Sequence, residues 1–352
     1  MSDNRIPVAI LGATGNVGQR FIQLLQDHPW FRVAELVASE RSAGKKYEEA
    51  TVWRLGDDMP EGARGLTVQD YNADLQSPLA FSGLPSEVAG EIEGRLAVSG
   101  VGVVSNTATH RMEPDVPLII PEVNPDHLDA IKQQQANRGW TGFIATNSNC
   151  STMHLALTLK PLQDAFGLKS VLVTTLQAVS GAGYPGVPSL DMIDNIVPFI
   201  GTEEEKMETE AMKMLGLWSG GGFQDADFVL SAHCNRVPVR DGHTECASVK
   251  LGRDASPEEV IEAFESFRGM PQELGLPSAP KRPIVVRREE NRPQPALDRD
   301  TERGMASVVG RVRPCPVLGI KYVLLGHNTI RGAAGAGILN AELLKEKGLL
   351  NV

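Results

Sequence analysis

Residues 6–30 read "IPVAILGATGNVGQRFIQLLQDHPW", and their pattern decides the fold of the first half of the chain. Residues 6–11 are a short, almost wholly apolar run, as a strand buried on both faces requires. Gly12-x-x-Gly15-x-x-Gly18 follows. Val17, Phe21, Leu24 and Leu25 then fall at i, i+4, i+7 and i+8, which is one face of a helix. His28-Pro29 stops that helix. "FRVAELVAS" (31–39) supplies a second strand. Strand, glycine turn, helix and strand make the βαβ unit that holds a dinucleotide. The glycines let the backbone approach a pyrophosphate, and the helix dipole favours its charge. The spacing differs from G-x-G-x-x-G, and a glycine turn without a ligand would show the same three residues. The flanking strands are what give the motif its weight.

The end of the second strand reads "ASERSAGKK" (38–46). An acidic residue there suits a free ribose hydroxyl, and basic or hydroxyl groups suit a 2′-phosphate. Ser39, Arg41 and Ser42 favour NADP, against Glu40. Further strands are expected at "LAFSGLP" (79–85), "VSGVGVVSN" (98–106) and "GFIATNSN" (142–149), each ending in small polar residues. Strand ends of that kind line the ligand crevice of a doubly wound sheet. Ser82, Asn106 and Asn149 are therefore crevice candidates, or turn residues that bond their own backbone.

A length of 352 residues suggests about two domains. A net charge of −10, few aromatics at 5% and no basic block argue against a nucleic-acid partner. No apolar stretch is long enough for a membrane helix, and the start lacks the pattern of a secretory signal, so a cytoplasmic setting is expected. The four cysteines form no C-x-x-C pair and no disulfide framework.

One of them, Cys150, stands in "NSNCSTMHL" (147–155), where an apolar run gives way to a helical pattern continued by Leu155, Leu159, Leu162 and Phe166. Ser148, Asn149 and Ser151 are available caps. A helix start stabilises a thiolate, and the thiolate is the nucleophile. The competing reading is an inert packing cysteine. A base must lie nearby in space. Of the seven histidines, His28 and His127 sit beside helix ends and read as surface. His154 lies one turn past Cys150. In "SAHCNRVPVRDGHTECASVKL" (231–251), a strand carrying Arg236 and, past a turn, His243 could bring a cation and a base to one site. The His233, Cys234, His243, Cys246 spacing matches no zinc pattern, so no metal is expected. Gln177 ends an apolar run before a glycine-rich loop, "SGAGYPG". The tail (324–348) reads as strand, glycine-rich turn and helix.

Six motifs in order carry a resemblance along nearly the whole chain: "GATGNVGQRF", "SNTATHRMEPDVPLIIPEVNP", "TNSNCST", "LQAVSGAGYPG", "RVPVRDGHT" and "HNTIRGAAG". The sequence resembles the aspartate-semialdehyde dehydrogenases, and within them the archaeal and fungal branch. The resemblance implies an α/β fold like that of glyceraldehyde-3-phosphate dehydrogenase. A Rossmann-type NADP-binding domain (1–149 plus about 330–352) would join an α+β catalytic and dimerisation domain (150–329). It implies Cys150 as nucleophile, His243 as general acid/base and Gln177 as the group that orients substrate, with Asn149 beside them. Arg236 would bind the substrate α-carboxylate and Glu210 its amino group. Lys213, Arg111 and Asn106 would form the phosphate site. Glu210 and Lys213 also read as a solvated helix face. Gly12, Thr14, Gly15, Asn16, Val17, Gly18, Ser39, Arg41, Ser42, Gly183 and Asn328 would contact NADP, and Ser82 joins them from its strand end.

The implied substrates are aspartate semialdehyde and phosphate, and the implied assembly is a homodimer or homotetramer. The rival of the same architecture is malonyl-CoA reductase, which shares the cysteine but has Pro-Leu where this chain has Ser148-Asn149. A short-chain dehydrogenase is excluded, because none of the four tyrosines begins Tyr-x-x-x-Lys. A non-catalytic NADP-binding sensor would not need Cys150.

Overall fold

The computed structural model describes residues 3–350. Its first half is a seven-stranded, all-parallel sheet in the order β3-β2-β1-β4-β5-β7-β6. The strands are β1 Ile6–Leu11, β2 Phe31–Val37, β3 Val68–Gln69, β4 Leu79–Ser82, β5 Gly102–Ser105, β6 Leu118–Ile119 and β7 Phe143–Asn147. The chain winds outward from β1 through β2 and β3, then restarts on the other side of β1 with β4. That reversal makes the switch point at which α/β sheets open a ligand crevice. The expected strands are present but shorter. The run from residue 98 begins its strand only at Gly102, because the Ser86–Val98 helix occupies its start and Gly100 turns the chain at φ +98°.

After a small hairpin of β9 Leu217–Trp218 and β10 Phe223–Gln224, the second half completes a six-stranded mixed sheet in the order β11-β8-β12-β15-β14-β13. Its strands are β8 Leu168–Gln177, β11 Val229–Arg236, β12 His243–Leu251, β13 Ile284–Arg287, β14 Ser307–Cys315 and β15 Gly319–Gly326. Burial alternates residue by residue in β8, β11 and β12. The buried face packs on the helices Cys150–Phe166, Glu203–Met214 and Pro257–Ser266 in one apolar cluster. On the opposite face Leu172 and Val229 are exposed.

Beyond β15 the chain tightens into a π-turn at Ile330–Ala334 and ends in the buried helix Gly335–Glu346. Ile338, Leu339 and Leu343 of that helix share a core with Phe21, Phe81 and Ala145 of the first sheet. The structure corrects the surface reading of two histidines. His28 is buried, with Nε2 2.8 Å from the Glu342 carboxylate of the final helix. His127 is buried between Asn124 and Phe223. Both are covered by segments far away in sequence, which no local pattern reveals. Among the described residues no helix is long and apolar enough to cross a membrane.

The π-turn is anchored by Arg331, fully buried, whose guanidinium meets both oxygens of buried Glu122 at 3.0 and 2.5 Å. Removing one partner strands a charge in the core. Arg331→Met is expected to lower unfolding free energy by about 3–5 kcal/mol, and adding Glu122→Gln to recover part of the loss, read as urea midpoints.

Candidate active site

The glycine turn sits at the switch point. At Gly12, φ is +73°, and a Cβ there would lie 2.6 Å from the Gly83 carbonyl that follows β4. A Cβ on Gly18 would meet the Gly12 carbonyl at 2.3 Å. The Gly12 and Ala13 amides donate to the Val37 carbonyl, which holds the turn against β2. The helix Asn16–Leu25 starts from Gly15 with no side-chain cap, so its first amides are open at the turn. Uncapped amides, a glycine cradle and the dipole suit a dinucleotide pyrophosphate. Asn16 and Val17 line the adjoining cleft, and Thr14 lies beside them in the turn. Ser39 and Ser42 form a tight turn after β2, with Glu40 and Arg41 exposed beside it. Ser82 does not reach the cleft. It is fully buried against Glu93, whose carboxyl burial pushes up while neighbouring hydroxyls oppose.

Cys150 is the first residue of the helix that follows β7. Asn149 caps that helix: its Oδ1 accepts from the amides of Ser151 and Thr152 at 2.9 and 3.0 Å. Its Nδ2 donates to Glu203 at 2.8 Å and its backbone N–H to Glu210 Oε2 at 2.6 Å. The Asn149 amide is thus committed at both ends to holding the turn, and the residue lines the cleft beside Cys150. Cys150 Sγ lies 3.2 Å from His243 Nε2. The Ala178 N–H donates to His243 Nδ1 at 3.0 Å. An amide can only donate, so Nδ1 is the acceptor and the neutral imidazole carries its proton on Nε2, facing the sulfur.

Two glycines explain how the backbone comes so close to this pair. A Cβ on Gly332 would lie 2.8 Å from Cys150 Cβ, and one on Gly181 within 3.2 Å of the His243 ring. Burial pushes the Cys150 thiol up to about 12, with Glu203 adding and Arg111 and Arg236 opposing. Part of Cys150 still opens on the cleft. Burial also holds His243 well below the ordinary imidazole value, aided by Arg236. Desolvation therefore opposes the thiolate expected at a helix start and disfavours charge on both members of the pair.

The cleft beside the pair has a volume of about 400 Å³. Gln177 and Arg236 are register partners at the ends of β8 and β11 and both line it. Arg236 Nη1 donates to the Ala178 carbonyl at 2.9 Å, and Gln177 Nε2 to Thr175 Oγ1 at 3.2 Å. Asn106 and Arg111 line the other wall, where Asn106 Nδ2 and Arg111 Nε are buried donors without a partner among the described residues. Gly183 and Asn328 close the cleft near the glycine loop. Asn328 accepts from the Gly242 amide and donates to Ser180 Oγ.

Glu210 and Lys213 do not line the cleft, contrary to expectation. Glu210 is buried in contact with Arg111 and Asn149. Lys213, brought down to about 8 by burial, gives its ammonium to three backbone carbonyls. Glu203 and Lys206, two helical turns earlier, line the cleft instead. The Glu-x-x-Lys spacing occurs twice in "EEEKMETEAMK", and both copies fall on one helix side. The spacing alone does not say which copy faces the cleft, and the tilt of the helix over the cleft decides it. His233 is exposed and Cys234 buried on β11, and among the described residues no group of metal-ligating side chains gathers.

Residues 7–131 match the semialdehyde dehydrogenase NAD-binding domain, and residues 159–331 the semialdehyde dehydrogenase dimerisation domain. Aspartate-semialdehyde dehydrogenase of Methanothermobacter thermautotrophicus is 55% identical over 97% of this chain and 99% of its own. The Schizosaccharomyces pombe enzyme is 51% identical over the same shares. This chain belongs to the aspartate-semialdehyde dehydrogenase family. The crystal structure of the Candida albicans enzyme with NADP superposes with a TM-score of 0.91 at 44% identity, covering 98% of this chain and 100% of that one. Aspartate semialdehyde dehydrogenase II of Vibrio cholerae, complexed with ASA, gives 0.78 at 29% identity, covering 97% and 98%.

Beneath the nucleophile, His154 is fully buried with Nδ1 2.8 Å from Ser307 Oγ, and desolvation lowers it to about 3. An unfolded histidine titrates near 6.5. Between those values the unfolded chain binds a proton that the folded chain does not, so this group's contribution to stability is lost as pH falls below 6.5. In urea titrations the stability lost between about pH 7 and pH 5 is expected to be smaller in His154→Gln than in wild type by about 2 kcal/mol.

Proposed function

We propose that this chain catalyses the NADPH-dependent reductive dephosphorylation of 4-phospho-L-aspartate to L-aspartate 4-semialdehyde, in lysine, threonine and methionine biosynthesis. The observation that carries this reading is the Cys150–His243 contact of 3.2 Å at the edge of a cleft with an arginine on either wall. Two arginines match a substrate with an anion at each end. Arg236 takes the α-carboxylate, and Arg111 with Asn106 takes the phosphate through their unpartnered donors. The contacts first expected of Glu210 and Lys213 pass to Glu203 for the ammonium and Lys206 for the phosphate, because these side chains line the cleft.

Cys150 Sγ attacks the acyl phosphate carbon. The carbon–oxygen bond to phosphate breaks, the thiol proton leaves with the phosphate, and a thioester remains on the enzyme. The glycine turn at Gly12, Gly15 and Gly18 would hold NADPH, which would supply the hydride that adds to the thioester carbon. The carbon–sulfur bond then breaks, the aldehyde departs, and the sulfur takes up a proton from solvent. His243 is the general acid/base: its Nε2 faces the sulfur and holds the proton where charge develops on sulfur and carbonyl oxygen. Gln177, beside Arg236, orients the carbonyl.

The dinucleotide domain comprises 1–149 with about 330–352, and 150–329 forms the catalytic and dimerisation domain. The return of the last helix to the first core supports this division. A homodimer or homotetramer suits the match to a dimerisation domain and the exposed Leu172 and Val229 on the open sheet face. A cytoplasmic setting keeps the Cys150 thiol reduced.

Cys150→Ser is expected to lose at least about a thousandfold in kcat while NADP affinity stays unchanged, measured as phosphate-dependent NADPH formation from aspartate semialdehyde. The same assay decides against the malonyl-CoA alternative. Turnover of malonyl-CoA, with none of aspartate semialdehyde plus phosphate, would overturn the reading.

A further inference from the structure

Two loops, one from each half of the chain, meet at Arg54 and Tyr184. Residues 47–54 are tied to the glycine turn. Tyr47 Oη donates to the Ala13 carbonyl at 2.8 Å, and Thr51 Oγ1 to the Thr14 carbonyl at 3.3 Å. Gln19, fully buried on the Asn16–Leu25 helix, holds the same loop. Its Nε2 donates to the Val52 carbonyl at 3.0 Å, and its Oε1 accepts from the Arg54 N–H at 2.9 Å. Arg54 leaves this anchored backbone and sets its guanidinium carbon 3.7 Å from the centre of the Tyr184 ring. Tyr184 belongs to "SGAGYPG" (180–186) in the second half, next to Gly183, which lines the cleft. Neither Arg54 nor Tyr184 lines the cleft itself.

Tyr184 is 66% exposed, too open for a core residue. The glycines on either side of it are left-handed, Gly183 at φ +72° and Gly186 at φ +84°. A Cβ on Gly183 would meet nothing within 4 Å, so this glycine answers a backbone angle and not a crowded space. Loop positions of that kind absorb the dihedral changes of a hinge. Upstream the loop is fastened. Asn328 Nδ2 donates to Ser180 Oγ at 2.8 Å, and Gly181 packs on the His243 ring.

We propose that Arg54 and Tyr184 form a clasp between the two halves, which opens each time the dinucleotide enters or leaves the cleft. The proposal rests on the reading of the glycine turn as the NADPH seat. One end of the contact is fastened to that turn, and the other to the loop beside His243. The pair thus spans the path that a dinucleotide takes into the cleft. Breaking the contact raises the open fraction, and both entry and exit scale with that fraction. A clasp therefore changes the two rates by one factor. It leaves the equilibrium in place, because a contact indifferent to the ligand shifts nothing. A side chain that touches the cofactor acts differently: its loss speeds exit alone.

That difference supplies the test, made by stopped-flow NADPH fluorescence on the full-length enzyme. Binding traces give kon, and a chase with excess NADP gives koff. Arg54→Ala and Tyr184→Leu are each expected to raise kon and koff together by about threefold, the scale of one exposed cation–π contact, with Kd within about 1.5-fold of wild type. The double variant is expected to match either single one, because both remove the same contact. Tyr184→Phe keeps the ring and is expected to match wild type. Unmoved rates overturn the proposal. So does a koff that rises without kon, or a double variant near about ninefold, since either marks side chains that hold NADPH independently. Asn16→Asp tests the seat by itself, by setting a carboxylate at the helix start where the pyrophosphate would lie. NADPH affinity is expected to fall there by about tenfold or more. An unchanged affinity removes the seat and the clasp with it. A weakened seat with unmoved rates in Arg54→Ala overturns the clasp alone. Should Arg54→Ala not fold, Arg54→Gln, which keeps most of the stem and drops the charge, takes its place with the same expected shifts.

Discussion

Asn149 is the joint on which this site depends. Its side chain caps the Cys150 helix, and its amide nitrogen and backbone N–H reach two carboxylates of the Glu203–Met214 helix. A cap of this kind stabilises a helix by about 1 kcal/mol, and hydrogen bonds to a charged acceptor contribute about 1.5–3 kcal/mol each. Together they fix where the first sheet ends and the second domain begins. The nucleophile follows immediately, so a small rotation of this turn would carry Sγ away from His243. The asparagine contributes to the chemistry by holding the cysteine still.

The electrostatics of the pair follow from the same burial. Close packing by Gly332 and Gly181 shields much of Cys150 and all of His243 from solvent, and burial disfavours charge on both. The Ala178 amide then selects the tautomer by occupying Nδ1. Arg111 and Arg236 already pull the thiol downward against the burial, while Glu203 pushes it up.

Much of this was legible in the sequence. The βαβ unit, the placement of Cys150 at a strand-to-helix junction and the pairing of Arg236 with His243 come from local pattern, whereas the place of Gln177 beside them came from the resemblance. Periodicity and glycine spacing report directly on backbone geometry. What was not legible depended on distant contacts. His28 reads as a helix-end residue until the final helix lays Glu342 against it. Ser82 reads as a strand-end ligand until the Ser86–Val98 helix brings Glu93 beneath it. The doubled Glu-x-x-Lys could not be resolved, because spacing fixes which residues share a helix side but not which turn overhangs a cleft.

The tail shows why the two halves act as one site. Within a few residues it places Gly326 against the His154 ring, Asn328 across the cleft, Arg331 on Glu122 and Gly332 against Cys150. Each contact belongs to a different wall. At Gly326 an added Cβ would sit 1.9 Å from the imidazole, and at Gly332 2.8 Å from Cys150, so neither position tolerates a side chain without moving the nucleophile helix. The buried Arg331–Glu122 pair lies between them and sets the depth to which this backbone is pressed. A hydrophobic pair of equal volume could stabilise the fold as well, but it would lack the bidentate geometry that fixes one register of the turn. In this reading the ion pair is kept for position, and the position it fixes is that of the backbone against Cys150.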